Sequence, residues 1–429
     1  MYTSMMRRAL FGSGDTATLS LDLSSGTLPT EITFTRADST ARATYIDASG
    51  YVKTVASAGA PRFDYTGGVA KGLLIEAAAT NSITHSNDLT QSGWFVSNVS
   101  TATSDVLSPN NLSYASKVTE TAVTTTHLVQ KAMLFSSGTT YTWSLWAKSG
   151  LRTQIYTSWD GGLCIAKWDL SGGTSPISSG STSATLTQTS YPGGWYRLTA
   201  TYVSPAGGGY LNLYTQNGSG NTYIGLGAFL GVDSTAALYI WGVQQEVGQS
   251  ASSLINTTTA ALTRLADDAV IRSTAWTGLY SKPGTIVVEY YRGEYGAGDR
   301  SVLAIDTAAT KHIHLKHANA SAGSGVYNSA GLAVCAKLGG NVTGLNKAAF
   351  NWSSANPSTI KYALNGNALV VSGTSDIGAT LGTWMTIGSA STTGVSGSGT
   401  WEGYLNNSIK SVKYYSELLT DAEMIAKTT

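Results

Sequence analysis

The residues of this 429-residue chain best equipped for chemistry are its aromatic rings, 11 Trp and 23 Tyr, set among amides, hydroxyls and a few carboxylates. Flat rings take the C–H face of a sugar, while Asn, Asp and Gln take its hydroxyls. Trp146, Trp159, Trp168, Trp195 and Tyr214 are available in the first half, and Tyr290, Tyr291 and Tyr295 in the second. Trp159 is followed by Asp160-Gly161-Gly162, a turn signature that would hold a ring and a carboxylate together in a loop. The expected glycan contacts are Trp159, Asp160, Trp146, Tyr214 and Tyr291. The competing role for each ring is to fill a core, as most aromatics in a β-sandwich do.

Other chemistries have thinner support. His312, His314 and His317 form HIHLKH, flanked by Asp299 and Asp306. On a strand the first two histidines share a face and the third points away, and no Cys or acid close by completes a metal site. Glycoside hydrolysis needs two carboxylates at a fixed separation. Asp160, Asp169, Glu246, Glu289, Glu294 and Glu402 are candidates, but no motif sets such a distance. The run Gly207-Gly208-Gly209 lacks the Lys-Ser/Thr of a phosphate loop. Non-enzymatic work is the expectation. Cys164 and Cys335 are too few and too far apart for a disulfide framework or a zinc site, and read as small buried apolar residues made in a reducing cytosol.

These groups must be positioned by strands. Charged residues are 12% of the chain, about half the usual share, while 42% is hydrophobic and 48 residues are Gly. Small polar residues, Tyr and Trp between Gly-rich turns predict an all-β protein. YTWSLWAKS alternates Tyr141, Trp143, Leu145 and Ala147 with Thr142, Ser144, Trp146 and Lys148, a period of two. About nine such runs between 85 and 250 predict a two-sheet jelly roll. Asn365-Gly366 between apolar runs predicts a hairpin. Thr420 followed by Glu423 predicts a capped helix near the end of the chain. The net charge of +1, with no Lys/Arg run, leaves no electrostatic footprint for nucleic acid and little repulsion against self-assembly. MYTSMMRRALFGSG has no apolar run behind its arginines, so neither a signal peptide nor membrane insertion is expected.

Several segments resemble known families. Phe34-Thr35-Arg36, Tyr45, Pro61-Arg62-Phe63-Asp64-Tyr65, Gly72-Leu73-Leu74-Ile75-Glu76 and Thr80-Asn81 form an ordered set of anchors. That order resembles a module common in structural proteins of tailed bacteriophages. Thr263-Arg264 and Asp267 echo Thr35-Arg36 and Asp38, as if edging the same unit, with both arginines able to reach acids or carbonyls. NDLTQSGWFVSN, SLWAKS, GGWYRLTATYV and LYIWGVQQEVG resemble a jelly roll of the carbohydrate-binding-module type. WEGYLNNSIKSVKYYSELLTDAEMIAKT resembles the closing strands of a concanavalin-A-like, laminin-G-like sandwich.

The resemblance implies an N-terminal docking arm (1–30), a strand-and-turn attachment module (31–84), a jelly-roll β-sandwich (85–250), a connecting segment (251–275) and a concanavalin-A-like β-sandwich (276–429). It implies a bacteriophage virion protein, made in the host cytoplasm and exposed on the particle surface as a head fibre or decoration protein, adhering weakly to host-surface glycans. The alternatives are a tail fibre or receptor-binding protein and, third, a glycan hydrolase. Expected partners are copies of itself in a homotrimer, by analogy with fibres and spikes, and other virion proteins. No cofactor is expected, although structural calcium is common in both sandwich families.

Overall fold

The computed structural model describes residues 17–159, 164–172, 176–180, 184–205, 209–216, 229–232, 235–272, 283–293, 300–308, 311–317, 324–327, 333–337, 342–355, 357–367, 371–376, 384–389 and 403–429. The expected all-β architecture is found, and the chain divides into two units. No helix among the described residues is long and apolar enough to cross a membrane.

The first unit comprises Arg36–Val69 and Ala78–Ala266. It is a jelly-roll sandwich of two six-stranded antiparallel sheets. Sheet I runs Ala184–Tyr191, Trp195–Val203, Thr140–Ser149, Ala236–Val247, Tyr114–Glu120, Val99–Leu107. Sheet II runs Ile177–Gly180, Cys164–Asp169, Gln154–Trp159, Gly209–Gln216, Leu128–Met133, Trp94–Ser97. The period-two pattern decides which side chains meet. Tyr141, Trp143, Leu145 and Ala147 from sheet I join Ile155, Trp159, Ala166, Trp168, Leu211 and Leu213 from sheet II in one core. Trp143 packs edge-on to Trp159 and Trp168, with ring centroids 5.0 and 5.9 Å away.

The opposite side of sheet I is also buried. Trp146, Trp195 and Trp241 form a second apolar cluster with Val52 and Leu254, flanked by Ile46. The guanidinium of Arg197 lies 4.7 Å from the Trp146 ring centroid. Several polar groups under this cover are bonded from within. Buried Arg62 donates to the Thr44 carbonyl (3.0 Å) and Ser253 Oγ (2.6 Å). Glu246 accepts from Ser252 N (2.9 Å), Ser252 Oγ and Gln244 Nε2 (2.8 Å). Gln244 in turn accepts from Ile255 N (2.7 Å). The run WGVQQEVG is thus a clasp, with its ring in the second cluster and its amide and carboxylate holding 252–255. Arg36 meets an acid and a carbonyl as expected, at Asp38 (2.9 Å) and Ala60 O (3.0 Å). Arg264 donates to Leu265 O, and Asp38 accepts from Leu265 N, both at 2.9 Å.

The second unit comprises the segment up to Thr35, Ala70–Ala77 and Asp267–Thr429. It is a concanavalin-A-like sandwich. Sheet III runs Val371–Ser375, Ser358–Leu364, Gly344–Trp352, Gly284–Arg292, Asn407–Tyr415, and the last strand also pairs with Leu19–Asp22 and with 73–75. Sheet IV runs Ile32–Thr35, Asp268–Arg272, Trp384–Ile387, Arg300–Ala308, Lys311–His317, Ser324–Tyr327, Ala333–Lys337. The predicted hairpin turn is present: Asn365 and Gly366 adopt φ +49° and +63°, and Asn367 N donates to Leu364 O. The predicted helix runs Asp421–Thr428 with both halves of the capping box formed. Its Met424 packs with Val287, Ala349, Ala363, Tyr415 and Leu419 over one side of sheet III.

The partition differs from the linear one expected. Leu19–Asp22, within the expected docking arm, is a sheet strand whose Leu19 and Leu21 are buried, while residues 1–16 lie outside the described residues. The expected attachment module is divided: Ile32–Thr35 and 73–75 serve the second unit, whereas 36–69 serves the first. The expected connecting segment is divided too, at Asp267, whose carboxylate and amide N–H bond to the backbone of Glu76 (2.9 and 3.0 Å). Antiparallel pairing links residues however distant in sequence, so a sandwich edge can be completed by any segment with the right alternation.

Gly72 shows how closely these strands approach. It adopts φ +103°, and a Cβ there would lie 2.0 Å from the Ile409 carbonyl oxygen. Gly72→Ala is expected to lower unfolding free energy by about 3 kcal/mol, read by urea denaturation followed by tryptophan fluorescence.

Candidate functional site

The central strands of sheet I are covered on both sides, and on the outer side of sheet II Phe95 and Tyr210 reach water while Gln154, Tyr156, Ser158, Asn212 and Gln216 are buried. Alternation fixes the members of that outer side. Ile155 and Trp159 point to the core, so Gln154, Tyr156 and Ser158 point out. Leu211 and Leu213 point in, so Tyr210, Asn212, Tyr214 and Gln216 point out. Val129 and Met133 point in, so Leu128 and Gln130 point out, and Phe95 lies opposite Gln130.

The strand register arranges these side chains in rows. One row is Leu128, Tyr214, Tyr156 and Lys167. The next is Phe95, Gln130, Asn212 and Ser158. In the second row Gln130 Nε2 donates to Asn212 Oδ1 (2.8 Å) and Asn212 Nδ2 donates to Ser158 Oγ (3.0 Å). Phe95 and Tyr210 are 56% and 45% exposed, and Tyr214 is half-buried. Tyr156 forms the buried floor, with Lys167 Nζ 5.8 Å from its ring centroid, and burial pushes its phenol pKa upward. Along the strand Tyr210 and Tyr214 are roughly 13 Å apart, and Phe95 is two strands, about 10 Å, to the side. Two exposed rings and a half-buried third beside the partly exposed Gln130 suit a short oligosaccharide, whose C–H faces stack on rings while its hydroxyls exchange bonds with an amide.

Of the five expected contact residues, Tyr214 is on this face. Trp159 is not in a loop; it ends the strand Gln154–Trp159, is 1% exposed, and packs on Trp143 and Tyr202. Trp146 is equally enclosed, in the second cluster of sheet I. Neither ring offers a face to a sugar, because their volume closes the two cores. Tyr291 belongs to the second unit, half-buried, with Lys71 Nζ 5.3 Å from its ring centroid. Asp160 lies outside the described residues. The residues missed were Phe95, Gln130, Tyr156, Tyr210 and Asn212. Their signal was in the sequence: GYLNLYTQ and TQIYTSW each alternate an apolar core series with a polar and aromatic series.

The remaining titratable groups are engaged elsewhere. Asp169 accepts from Ser171 N (2.8 Å) and Oγ (2.6 Å). Glu289 lies 3.5 Å from Lys410 Nζ. Glu246 belongs to the clasp, and Glu294 and Glu402 lie outside the described residues. His314 is buried with Nε2 2.8 Å from Ser301 Oγ. Cys164 and Cys335 are buried with no disulfide between them, and burial pushes the Cys335 thiol up to about 12.

Calcium requires several convergent oxygen ligands. Among the described residues no three His, Cys, Asp or Glu side chains converge in this way. The buried carboxylate of Glu120 is instead met by an internal cation: Arg152 Nε and Nη2 donate to its two oxygens at 2.9 and 2.6 Å, and Val232 N adds a third bond at 3.0 Å. The donor set at Glu120 does not fit calcium.

No family model and no curated protein matches the chain. Among solved structures it is similar to the CBM40 of the Ruminococcus gnavus IT-sialidase, bound to α2,6 sialyllactose, at 22% identity, covering 36% of this chain and 87% of that one with a TM-score of 0.26. A leech intramolecular trans-sialidase is similar at 19% identity over 36% of this chain and 24% of that one, TM-score 0.24. Domains LG4-5 of the mouse laminin α1 chain are similar at 10% identity over 79% of this chain and 88% of that one, TM-score 0.20. Likeness at this level does not bear on function, and the sandwich architecture rests on the chain's own strand pairing.

Tyr210→Ala and Tyr214→Ala are each expected to weaken binding about five- to tenfold in glycan-array titrations, with folding unchanged, whereas Trp159→Ala should cost about 3–5 kcal/mol of stability in urea. Burial opposes ionisation of Glu120, but the Arg152 and Val232 bonds outweigh it and hold its pKa below the ordinary value. A lowered folded-state pKa stabilises fully above the unfolded carboxylate pKa and is lost as pH falls through the lowered value, so this contribution is expected to fade progressively as pH falls below the ordinary Glu range. Arg152→Ala, which strands the carboxylate, should cost about 3–5 kcal/mol at pH 7 and flatten the acid limb of a stability–pH curve.

Proposed function

We propose that the protein is a glycan-binding adhesin carried on the surface of a tailed-bacteriophage particle, as a head fibre or decoration protein. The observation that carries the adhesive part is the outer side of sheet II, where Phe95, Tyr210 and Tyr214 surround the Gln130–Asn212 pair. Two exposed rings, a half-buried third and the partly exposed Gln130 support weak binding of one copy. Many copies on one body raise weak binding to useful avidity.

The virion placement is supported by the sequence resemblance of the 34–81 anchors and of the jelly-roll segments, and by a near-neutral charge suited to assembly. In this reading the protein is made in the host cytoplasm, assembles as a homotrimer with other virion proteins, works without a cofactor and performs no catalysis. The anchors have a structural use that fits an assembly part: Arg62 and Asp64 hold the cover of sheet I, with Asp64 Oδ1 accepting from Ile46 N at 2.8 Å.

Quantitative mass spectrometry of purified particles, set against the major capsid protein, is expected to find dozens to hundreds of copies. A handful of copies would move the protein to the tail as a receptor-binding fibre. Absence from particles, with loss of polysaccharide viscosity on mixing, would replace the adhesin by a hydrolase.

A further inference from the structure

At the edge of sheet II where Trp94–Ser97 pairs with Leu128–Met133, the outer side carries a small side chain among large ones. Ala132 is exposed and lies directly opposite Tyr210. Phe95 lies opposite Gln130, the next outward residue along the strand from Ala132. Met133 and Phe135 both point into the core, so Leu134 continues the outward series. Register puts Tyr210 about 5 Å from Ala132, and Phe95 and Leu134 about 7 Å from it. The edge strand begins at Trp94, the partner of Lys131, and Gly93 before it has no side chain to cover Ala132. The result is a shallow seat with a methyl floor and apolar walls, open to water: Leu134 is 88%, Phe95 56% and Tyr210 45% exposed. Gln130, partly exposed, stands beside it, its amide held by the bond from Nε2 to Asn212 Oδ1 (2.8 Å). Of the described residues facing outward on these three strands, none is Lys, Arg, Asp or Glu. Lys131 points inward, where its Nζ donates to Thr84 Oγ1 (2.8 Å). A carboxylated or sulfated sugar finds no cation here to pair with.

We propose that this seat takes the methyl group of a neutral saccharide, carried either by a 6-deoxyhexose or by an acetamido substituent. This rests on the glycan reading above and names the class of sugar. Water serves a hydroxyl wherever it lies, but a methyl gains only where apolar atoms replace its water. The neighbouring outward positions Gln130, Asn212 and Ser158 are filled by side chains bonded to one another, so a methyl set there would strip hydrogen bonds. At Ala132 it meets carbon, while the rest of the sugar lies against the Tyr210 or Phe95 ring.

The test uses the full chain, titrated on an array of matched hexosides: 6-deoxy against 6-hydroxy, and N-acetyl against 2-hydroxy. The parent is expected to bind one methyl-bearing series about fourfold tighter than its partners, the effect of moving one methyl from water to an apolar seat. The series preferred identifies the carrier. Ala132→Gln fills the seat with a neutral side chain and is expected to abolish the preference. Leu134→Ser removes a wall and is expected to halve it. Leu134 has little packing to lose, so its variant decides the matter if Ala132→Gln melts several degrees below the parent. A parent that binds hexosides without regard to the methyl, with Tyr210→Ala still weakening it, overturns the inference and leaves the platform intact. A preference that survives both variants overturns it as well. Sedimentation over a range of concentrations covers the other occupant: self-association of the parent that Leu134→Ser abolishes assigns the patch to a second copy and overturns the inference. A parent that binds nothing on the array removes the glycan reading itself and the inference with it.

Discussion

The central strands of sheet I are covered on both sides, and most of the first unit follows from that constraint. A sheet closed on both sides cannot use the ordinary alternation of apolar and polar side chains. Its two series must each find a dry environment, and buried polar groups among them are costly unless bonded from within. Trp143 and Trp146 sit three residues apart and fill two different cores. Burying a Trp removes roughly 150–250 Å² from water, worth up to about 4–6 kcal/mol, so losing the cover over Trp146, Trp195 and Trp241 would be costly. The cover is correspondingly well fastened. Asn81 shows the principle in one side chain: fully buried, its Nδ2 donates to Val243 O (3.2 Å) and Ile255 O (2.9 Å), and its Oδ1 accepts from Ile83 N (3.0 Å) and Gln245 N (3.1 Å).

The same covering leaves exposed rings, Phe95 and Tyr210, on the other sheet. Rings that looked available for a sugar, Trp146 and Trp195, are consumed by the cover, and Trp159 and Trp168 by the main core. Sheet II keeps its outer series of Tyr, Asn, Gln and Ser, residues chosen neither for apolar packing nor for charge. A face with many neutral hydrogen-bonding groups and few charges fits a neutral polyhydroxy ligand better than a nucleic acid or a membrane surface. Its binding is expected to be modest per copy, because an open face buries less of a ligand than a pocket does.

Much of the fold was legible in local patterns. Asn365-Gly366 marks its turn because both residues tolerate positive φ, and Thr420 with Glu423 marks the helix start because each satisfies the other's backbone. YTWSLWAKS shows its two series plainly. The site was less legible. Tyr214 lies on the outer side of sheet II while Trp146 and Trp159 do not, because sequence gives the alternation of a strand and not which of its two sides faces water. The amides beside Tyr214 were passed over because Asn and Gln are unremarkable in any polar stretch until register aligns them across strands.

The sequence by itself determined the class, the strand content, the turns and the pairing of opposite series along each strand, since these depend on residues within a few positions of one another. Only the tertiary structure decided that Ile32–Thr35 and 73–75 complete the second sandwich while 36–69 covers the first, because antiparallel pairing joins segments without regard to their distance along the chain. It also decided which rings are core and which are surface. Burial is a property of what lies opposite a side chain, and for Trp146 that neighbour is Leu254, more than a hundred residues away.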